Sequence, residues 1–280
     1  MKKEIQKEIL TVKNINKSFT KNGEEQAILR NINLSIKSNE IVSFVGKSGA
    51  GKSTFLRIIS GLLAKSSGSV TFNGEDVTKP TSNMSMVFQN FALLPWLNVF
   101  DNVAFGLEAR GLPKKYIKDK TTEMLNLIGL SGYEKSYPKE LSGGMRQRVG
   151  FARALAVEPD ILLLDEPFSS LDIFTAHKLK NDLIELWESK KIKTSSIILV
   201  THSVEEAVMM SDRVLVWDSN PGRIAKEIAI QEARFARTKR NMFEQVEDIS
   251  HILNHHIAAS EERRILEINP SYVANMPIAI

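Results

Sequence analysis

The run Gly46-Lys47-Ser48-Gly49-Ala50-Gly51-Lys52-Ser53 sets glycines, a lysine and a hydroxyl in the order a phosphate-binding loop needs. It follows the apolar run Ile41-Val42-Ser43-Phe44-Val45 and precedes Thr54-Phe55-Leu56-Arg57-Ile58-Ile59, so a buried strand turning into a helix is predicted. Glycine lets the backbone turn successive N–H groups inward on phosphate oxygens beside the positive end of that helix. Lys52 then supplies charge and the Ser53 hydroxyl can ligate Mg²⁺, with Lys47, Ser48, Gly49, Ala50 and Thr54 in the same binding segment. A second run, Leu141-Ser142-Gly143-Gly144-Met145-Arg146-Gln147-Arg148, reads as another phosphate-facing turn, with Ser142, Gly143 and Gly144 at the head of a helix expected over 145–157. A capping role for Ser142 does not compete with anion binding, because both use the same donors. Two such elements in one modest chain imply ATP sandwiched between two copies of it.

A metal at a phosphate loop needs an acidic partner, and Ile161-Leu162-Leu163-Leu164-Asp165-Glu166 ends four apolar residues on two carboxylates. Neighbouring strand positions face opposite sides, so the two acids divide the work: Asp165 is the candidate for Mg²⁺ and Glu166 for polarising an attacking water. Pro167 ends the strand. His202 follows the apolar run Ser196-Ile197-Ile198-Leu199-Val200, at the carboxyl end of an expected parallel strand, where a sensor of the terminal phosphate can sit. Gln89 closes another strand-like stretch, Met84-Ser85-Met86-Val87-Phe88, and alone would be an ordinary loop residue.

In order and spacing these elements resemble the ATP-binding subunit of an ABC transporter over residues 12–224. The resemblance implies an α/β P-loop ATPase with a RecA-like main lobe, an antiparallel β subdomain and an inserted helical lobe. It makes Gln89 the glutamine of the Q-loop, a catalytic residue and further Mg²⁺ ligand, and residues 141–145 the family signature. It likewise makes 169–172 the D-loop, His202 the switch histidine, and Phe19 an aromatic stacked on adenine, where a core aromatic on a strand is the plain alternative. Head-to-tail pairing is also implied, each ATP lying between one copy's phosphate loop and the other copy's signature turn. The Leu94-Pro95-Trp96-Leu97 run, Met145 and Asn220-Pro221-Gly222-Arg223-Ile224 are similar to the nitrate, sulfonate, taurine and bicarbonate importers. Ser203 departs from the aspartate usual after the switch histidine, and Glu232-Ala233-Arg234-Phe235-Ala236-Arg237-Thr238-Lys239-Arg240 replaces an expected arginine-proline segment.

The elements that must position these residues follow from patterning. Up to about residue 81, short strands at Ile9-Leu10-Thr11-Val12, Ile28-Leu29, Ile32-Asn33-Leu34-Ser35-Ile36 and Ser69-Val70-Thr71-Phe72 alternate with turns, the last closed by Asn73-Gly74. From about 90 to 157 the pattern is helical and marks the inserted lobe within an ATPase domain spanning 8–232, after which strands and helices alternate again. In the extension, 233–280, Phe243, Val246, Ile249, Ile252, Leu253 and Ile257 recur at helical spacing, predicting one amphipathic helix docked on the main lobe or on another subunit. Glu247, His251 and His255 share a face of it, as a solvated stripe rather than a metal site, and residues 268–280 are expected to be extended.

Composition sets the remaining bounds. With no cysteine there are no disulfides or thiolate metal sites. No run reaches the about 18 to 20 apolar residues that cross a bilayer, and the first residues lack the apolar core of a signal peptide. A soluble chain, peripheral on the cytoplasmic face of the membrane, is expected, with separate transmembrane permease subunits and, indirectly, an extracytoplasmic solute-binding protein as partners. Net charge is +4, but 37 basic residues are spread among 33 acidic ones, so no nucleic-acid partner is expected. In Asn90-Phe91-Ala92-Leu93-Leu94-Pro95-Trp96-Leu97-Asn98-Val99-Phe100-Asp101-Asn102-Val103, residues Leu93, Val99 and Val103 suit a core, while Pro95 and Trp96 suit a groove for a permease helix. The expected function is ATP-driven import of a small, anionic solute. The rivals are a soluble ABC ATPase acting on nucleic acid or ribosomes and the motor of an exporter.

Overall fold

A computed structural model describes residues 7–21 and 23–268. In chain order the elements begin β1 (Glu8–Lys21), β2 (Glu24–Lys37), β3 (Ile41–Gly46), α1 (Lys52–Ile59), β4 (Ser67–Phe72) and β5 (Glu75–Asp76). Then come β6 (Met84–Val87), α2 (Val99–Ala109), α3 (Lys114–Leu127), α4 (Gly143–Ala156), β7 (Ile161–Asp165), α5 (Ile173–Glu188) and β8 (Ser196–Thr201). The chain continues through α6 (Val204–Met210), β9 (Arg213–Asp218), β10 (Arg223–Ala229) and α7 (Phe243–Ile268). It divides into two compact bodies, one formed chiefly by Lys79–Thr201 with Lys37–Ile41, the other by Glu8–Ile36, Val42–Thr78 and the chain from His202 onward.

In the second body, an antiparallel sheet runs in the order β2-β1-β4-β5. The two short strands expected around Ile28 and Ile32 are one continuous strand, β2. Its buried positions step by three residues from Leu29 to Ile32 before alternating at Leu34 and Ile36. Asn31, at φ 49°, makes that step, and an alternation read by eye breaks there. Asn14, at φ 51°, sits in a matching irregularity of β1. Asparagine side chains tie the two bulges, Asn16 accepting from the Asn31 amide and Asn33 from the Asn14 amide, both at 2.9 Å.

The same body holds β3 paired in parallel with β9, and β9 antiparallel with β10. β3 is buried at every residue because both faces are covered, which explains a run apolar but for Ser43, whose buried hydroxyl is hydrogen-bonded to that of Ser211. Phe44, Phe55 and Trp217 pack as a triangle of rings with centroids 5.4 to 5.5 Å apart. The predicted amphipathic helix is α7, and it docks on its own body: Ile249 and Leu253 are buried against Val45, Ala207, Val208 and Val216. Phe243 does not join that stripe and is 61% exposed. Met242 takes its place, because 242, 246, 249 and 253 form the true helical row and 243 is rotated off it. Ile268 closes α7, and the rest of the end expected to be extended lies outside the described residues.

In the first body β6, β7 and β8 run parallel, with Met84 opposite Ile161 and Ile161 opposite Ser196. The helical stretch supplies α2, α3 and α4, which pack on one another and bury Val103, Leu107, Met124, Leu125 and Val149. Gly129, at φ 70°, terminates α3 just past its C-cap, and the helix begins at Lys114 behind Pro113. Among the described residues no helix is long and apolar enough to cross a membrane.

Candidate functional site

The loop between β3 and α1 closes on itself. Lys52 is 3% exposed, and its ammonium donates to the carbonyls of Gly46 and Lys47, each at 2.8 Å. The Trp217 indole donates to the Ala50 carbonyl at 2.7 Å, anchoring the far side of the loop to β9. Gly51 turns the chain into α1 at φ 89°, where a Cβ would also stand 2.8 Å from Leu29 Cδ2, so glycine is required there on two counts. Ser48 and Gly49 face solvent, Ala50 is buried, and Ser53 and Thr54 lie half-buried on the first turn of α1. The predicted strand, glycine turn and helix start are therefore all present.

Elsewhere in this body, the Phe19 ring on β1 is 44% exposed with the Lys17 ammonium 4.5 Å above it, so it is not a core aromatic. His202 is exposed just past β8. Ser203, the departure from the usual aspartate, is the N-cap of α6, its hydroxyl accepting from the Glu206 amide at 3.2 Å.

The first body carries the acids and the signature turn. Asp165 is the last residue of β7 and buried, while Glu166 leaves the strand at φ 47°, in the left-handed region, with its amide bonded to Val200 O at 3.0 Å. A glutamate held there is backbone strain at a residue the sequence singled out, and it turns the carboxylate out of the strand's alternation. Gln89 Nε2 lies 3.4 Å from Glu166 Oε2 and 3.3 Å from Ser169 Oγ, and Ser169 Oγ donates back to Glu166 O at 2.9 Å. Gln89, Glu166 and Ser169 thus form one polar cluster; Ser169, legible only as a member of the 169–172 segment, is the residue that ties it together. Asp172 caps α5, and hydrogen bonds from the Thr175 hydroxyl and then the Thr175 amide hold its carboxyl below the usual aspartate range.

Ser142 is exposed and caps α4, accepting from the Met145 amide at 3.3 Å. α4 starts at Gly143, two residues before the expected start. Gly144 is fixed by packing: a Cβ there would stand 2.5 Å from Thr175 Cγ2 on α5. Further along α4, Arg153 donates to Ala92 O at 2.7 Å and Phe91 O at 3.1 Å, holding the turn that follows Gln89, where Phe91 and Ala92 both have positive φ. One helix thus carries the signature turn at its head and steadies the glutamine loop with its body.

The loop beyond that turn is shaped by Asn102, which nothing in its residue type marks out. Fully buried on α2, Asn102 donates to the carbonyls of Leu94, Leu97 and Asn98 at 3.1, 2.9 and 3.0 Å and accepts from the Leu94 amide at 2.9 Å. The loop it fixes presents Trp96 69% exposed beside an exposed Pro95, while Val99 and Val103 are buried and Leu93 is half-buried.

Comparison with known proteins bears on this arrangement. The ABC transporter family profile matches residues 29–169. An aliphatic sulfonates import ATP-binding protein of Bacillus cereus is 43% identical over 219 residues, 78% of this chain and 85% of its own length. A nitrate import ATP-binding protein of a Synechocystis species is 42% identical over 232 residues, 83% of this chain and 86% of its own. Among solved structures, a dimeric ATP-binding cassette in a post-hydrolysis state with ADP and phosphate has a TM-score of 0.71 at 30% identity, covering 80% of this chain and 100% of that one.

Proposed function

We propose that this chain, which belongs to the ABC transporter family and is an ATPase of that family's α/β P-loop fold, powers import of a small oxyanion through separate permease subunits at the cytoplasmic face of the membrane. Two copies are to close head to tail around two ATP, and closure drives the permease through its access cycle. The ATPase domain is 8–232 with the helical lobe 90–157 inserted, and 233–280 forms an extension. An extracytoplasmic binding protein delivers the solute.

Residue roles follow from chemistry. In the loop, Gly46, Lys47, Ser48, Gly49, Ala50, Gly51, Ser53 and Thr54 offer backbone N–H groups and hydroxyls to phosphate, and the Lys52 ammonium exchanges its carbonyl partners for phosphate oxygens. Phe19 stacks on adenine. Ser53 with its hydroxyl, Asp165 with its carboxylate and Gln89 with its amide oxygen are the residues that would hold Mg²⁺, each offering the hard oxygen donor that ion takes. When bound, the metal neutralises charge on the transferring phosphoryl group. Glu166 accepts the proton of the attacking water as the water's oxygen bonds to the terminal phosphorus and the bond to the bridging oxygen breaks, that oxygen leaving on ADP. Gln89 and Ser169 hold the Glu166 end of that arrangement, and His202 donates to the terminal phosphate. Ser142, Gly143 and Gly144, at the head of α4, supply donors to ATP held by the second copy.

Coupling to a permease, rather than free-standing ATP hydrolysis, is supported above all by the exposed Trp96 on a loop held in shape by Asn102, and the direction by the import relatives. The names of the sulfonate and nitrate import relatives support the class of cargo. Cells lacking the gene should lose uptake of one radiolabelled oxyanion among sulfonates, taurine, bicarbonate and nitrate, restored by the native chain but not by Glu166→Gln. Unchanged uptake of all four contradicts the proposal.

A further inference from the structure

Two lysines of the phosphate loop are disposed in opposite ways. Lys52 turns inward to the loop's own carbonyls. Lys47 turns outward, and its ammonium donates to the carboxylate of Glu261 on α7, 214 residues away in sequence. The preceding residue, Ser260, is buried and bonded through its hydroxyl to Ser219 Oγ at 3.0 Å and to Ile257 O at 2.8 Å, so this turn of the helix is anchored. Ser219 follows β9, whose Trp217 anchors the Ala50 carbonyl at 2.7 Å. Loop and helix therefore hang from the same strand end, and the fold itself presets the ion pair between them.

We propose that Glu261 is a positioning residue for the nucleotide loop, which by holding the Lys47 ammonium against α7 keeps that charge off the phosphates and sets the affinity for nucleotide. This rests on residues 46–53 being the nucleotide loop. It gives the C-terminal extension a task that no residue of the phosphate-binding motif discloses: α7 tunes how tightly its own body holds ATP and ADP. With Glu261 neutralised, Lys47 swings free and adds a cation beside the phosphates. The gain is about two- to fivefold in affinity, the scale of one solvent-screened unit charge.

The test is calorimetric titration of Mg-ADP, which avoids turnover, into the full chain and its Glu261→Gln, Lys47→Met and doubly substituted forms. Glu261→Gln should bind Mg-ADP about two- to fivefold more tightly than the native chain, with the difference shrinking in high salt. In the Lys47→Met background the same Glu261→Gln change should alter affinity by less than about 1.5-fold, because Glu261 acts through Lys47. Both substitutions are of half-exposed side chains, and unchanged melting temperatures confirm that folding is untouched. Equal affinity of Glu261→Gln and native protein overturns the proposal, as does an equal tightening in both backgrounds, which would make Glu261 a mere distant charge. A native chain that binds no Mg-ADP would instead remove the nucleotide-loop reading beneath it.

Discussion

Glu166 occupies a backbone conformation that a glutamate takes only under constraint, at φ 47° beyond the end of β7. Such strain, about 1 to 3 kcal/mol, persists where surrounding structure over-determines it and commonly where a side chain must be aimed. Here the Gln89 and Ser169 side chains close on it. Glu166→Gln keeps shape and hydrogen-bonding length but removes the proposed proton acceptor, so phosphate release from Mg-ATP should fall by at least about a hundredfold while Mg-ATP binding is retained. A variant that hydrolyses at the native rate would show that another group takes the proton. At Gly51 the constraint is steric as well as torsional, with φ 89° and Leu29 Cδ2 2.8 Å from where a Cβ would sit. Gly51→Ala should therefore lower unfolding free energy by about 1 to 2 kcal/mol, measured by urea denaturation, besides weakening nucleotide binding.

At the scale of elements, α2 and α4 hold the loops that do the work, and this is where the amino-acid sequence was least legible. The strand, glycine turn and helix over 41–59, the strand ending at Asp165 and the helix headed by Ser142 could be read because each needs particular residue types at fixed spacing. Asn102 could not, since a buried asparagine bonding three carbonyls looks, in one dimension, like any polar residue on a helix. Nor could the single long β2, because Asn31 resets its alternation, or the off-row position of Phe243, because Met242 takes the buried place. The contrast between Asn102 and Trp96 is measurable. Asn102→Ala leaves three part-buried carbonyls without their donor and should cost about 1 to 3 kcal/mol of stability, whereas Trp96→Ala, at a 69% exposed side chain, should cost less than about 1 kcal/mol. Both should nevertheless weaken permease binding, Trp96→Ala by about thirtyfold if the ring is an interface anchor. A large drop in melting temperature for Trp96→Ala would make it a core residue and remove this surface as a docking site.

At the scale of the whole molecule the proposed function needs two copies, because it places one ATP between the loop 46–53 of one copy and the turn 142–144 of the other. One solved cassette similar to this chain is a dimer with ADP and phosphate. The absence of cysteine makes the arrangement directly testable. With Ser48 and Ser142 each changed to cysteine in separate chains, both carrying Glu166→Gln so that ATP is held, the two chains are mixed and oxidised mildly with and without Mg-ATP. The account predicts a disulfide-linked dimer joining the Ser48→Cys chain to the Ser142→Cys chain, formed with Mg-ATP and absent without it. No linked dimer under Mg-ATP, or one formed equally in its absence, would contradict a site shared between two copies.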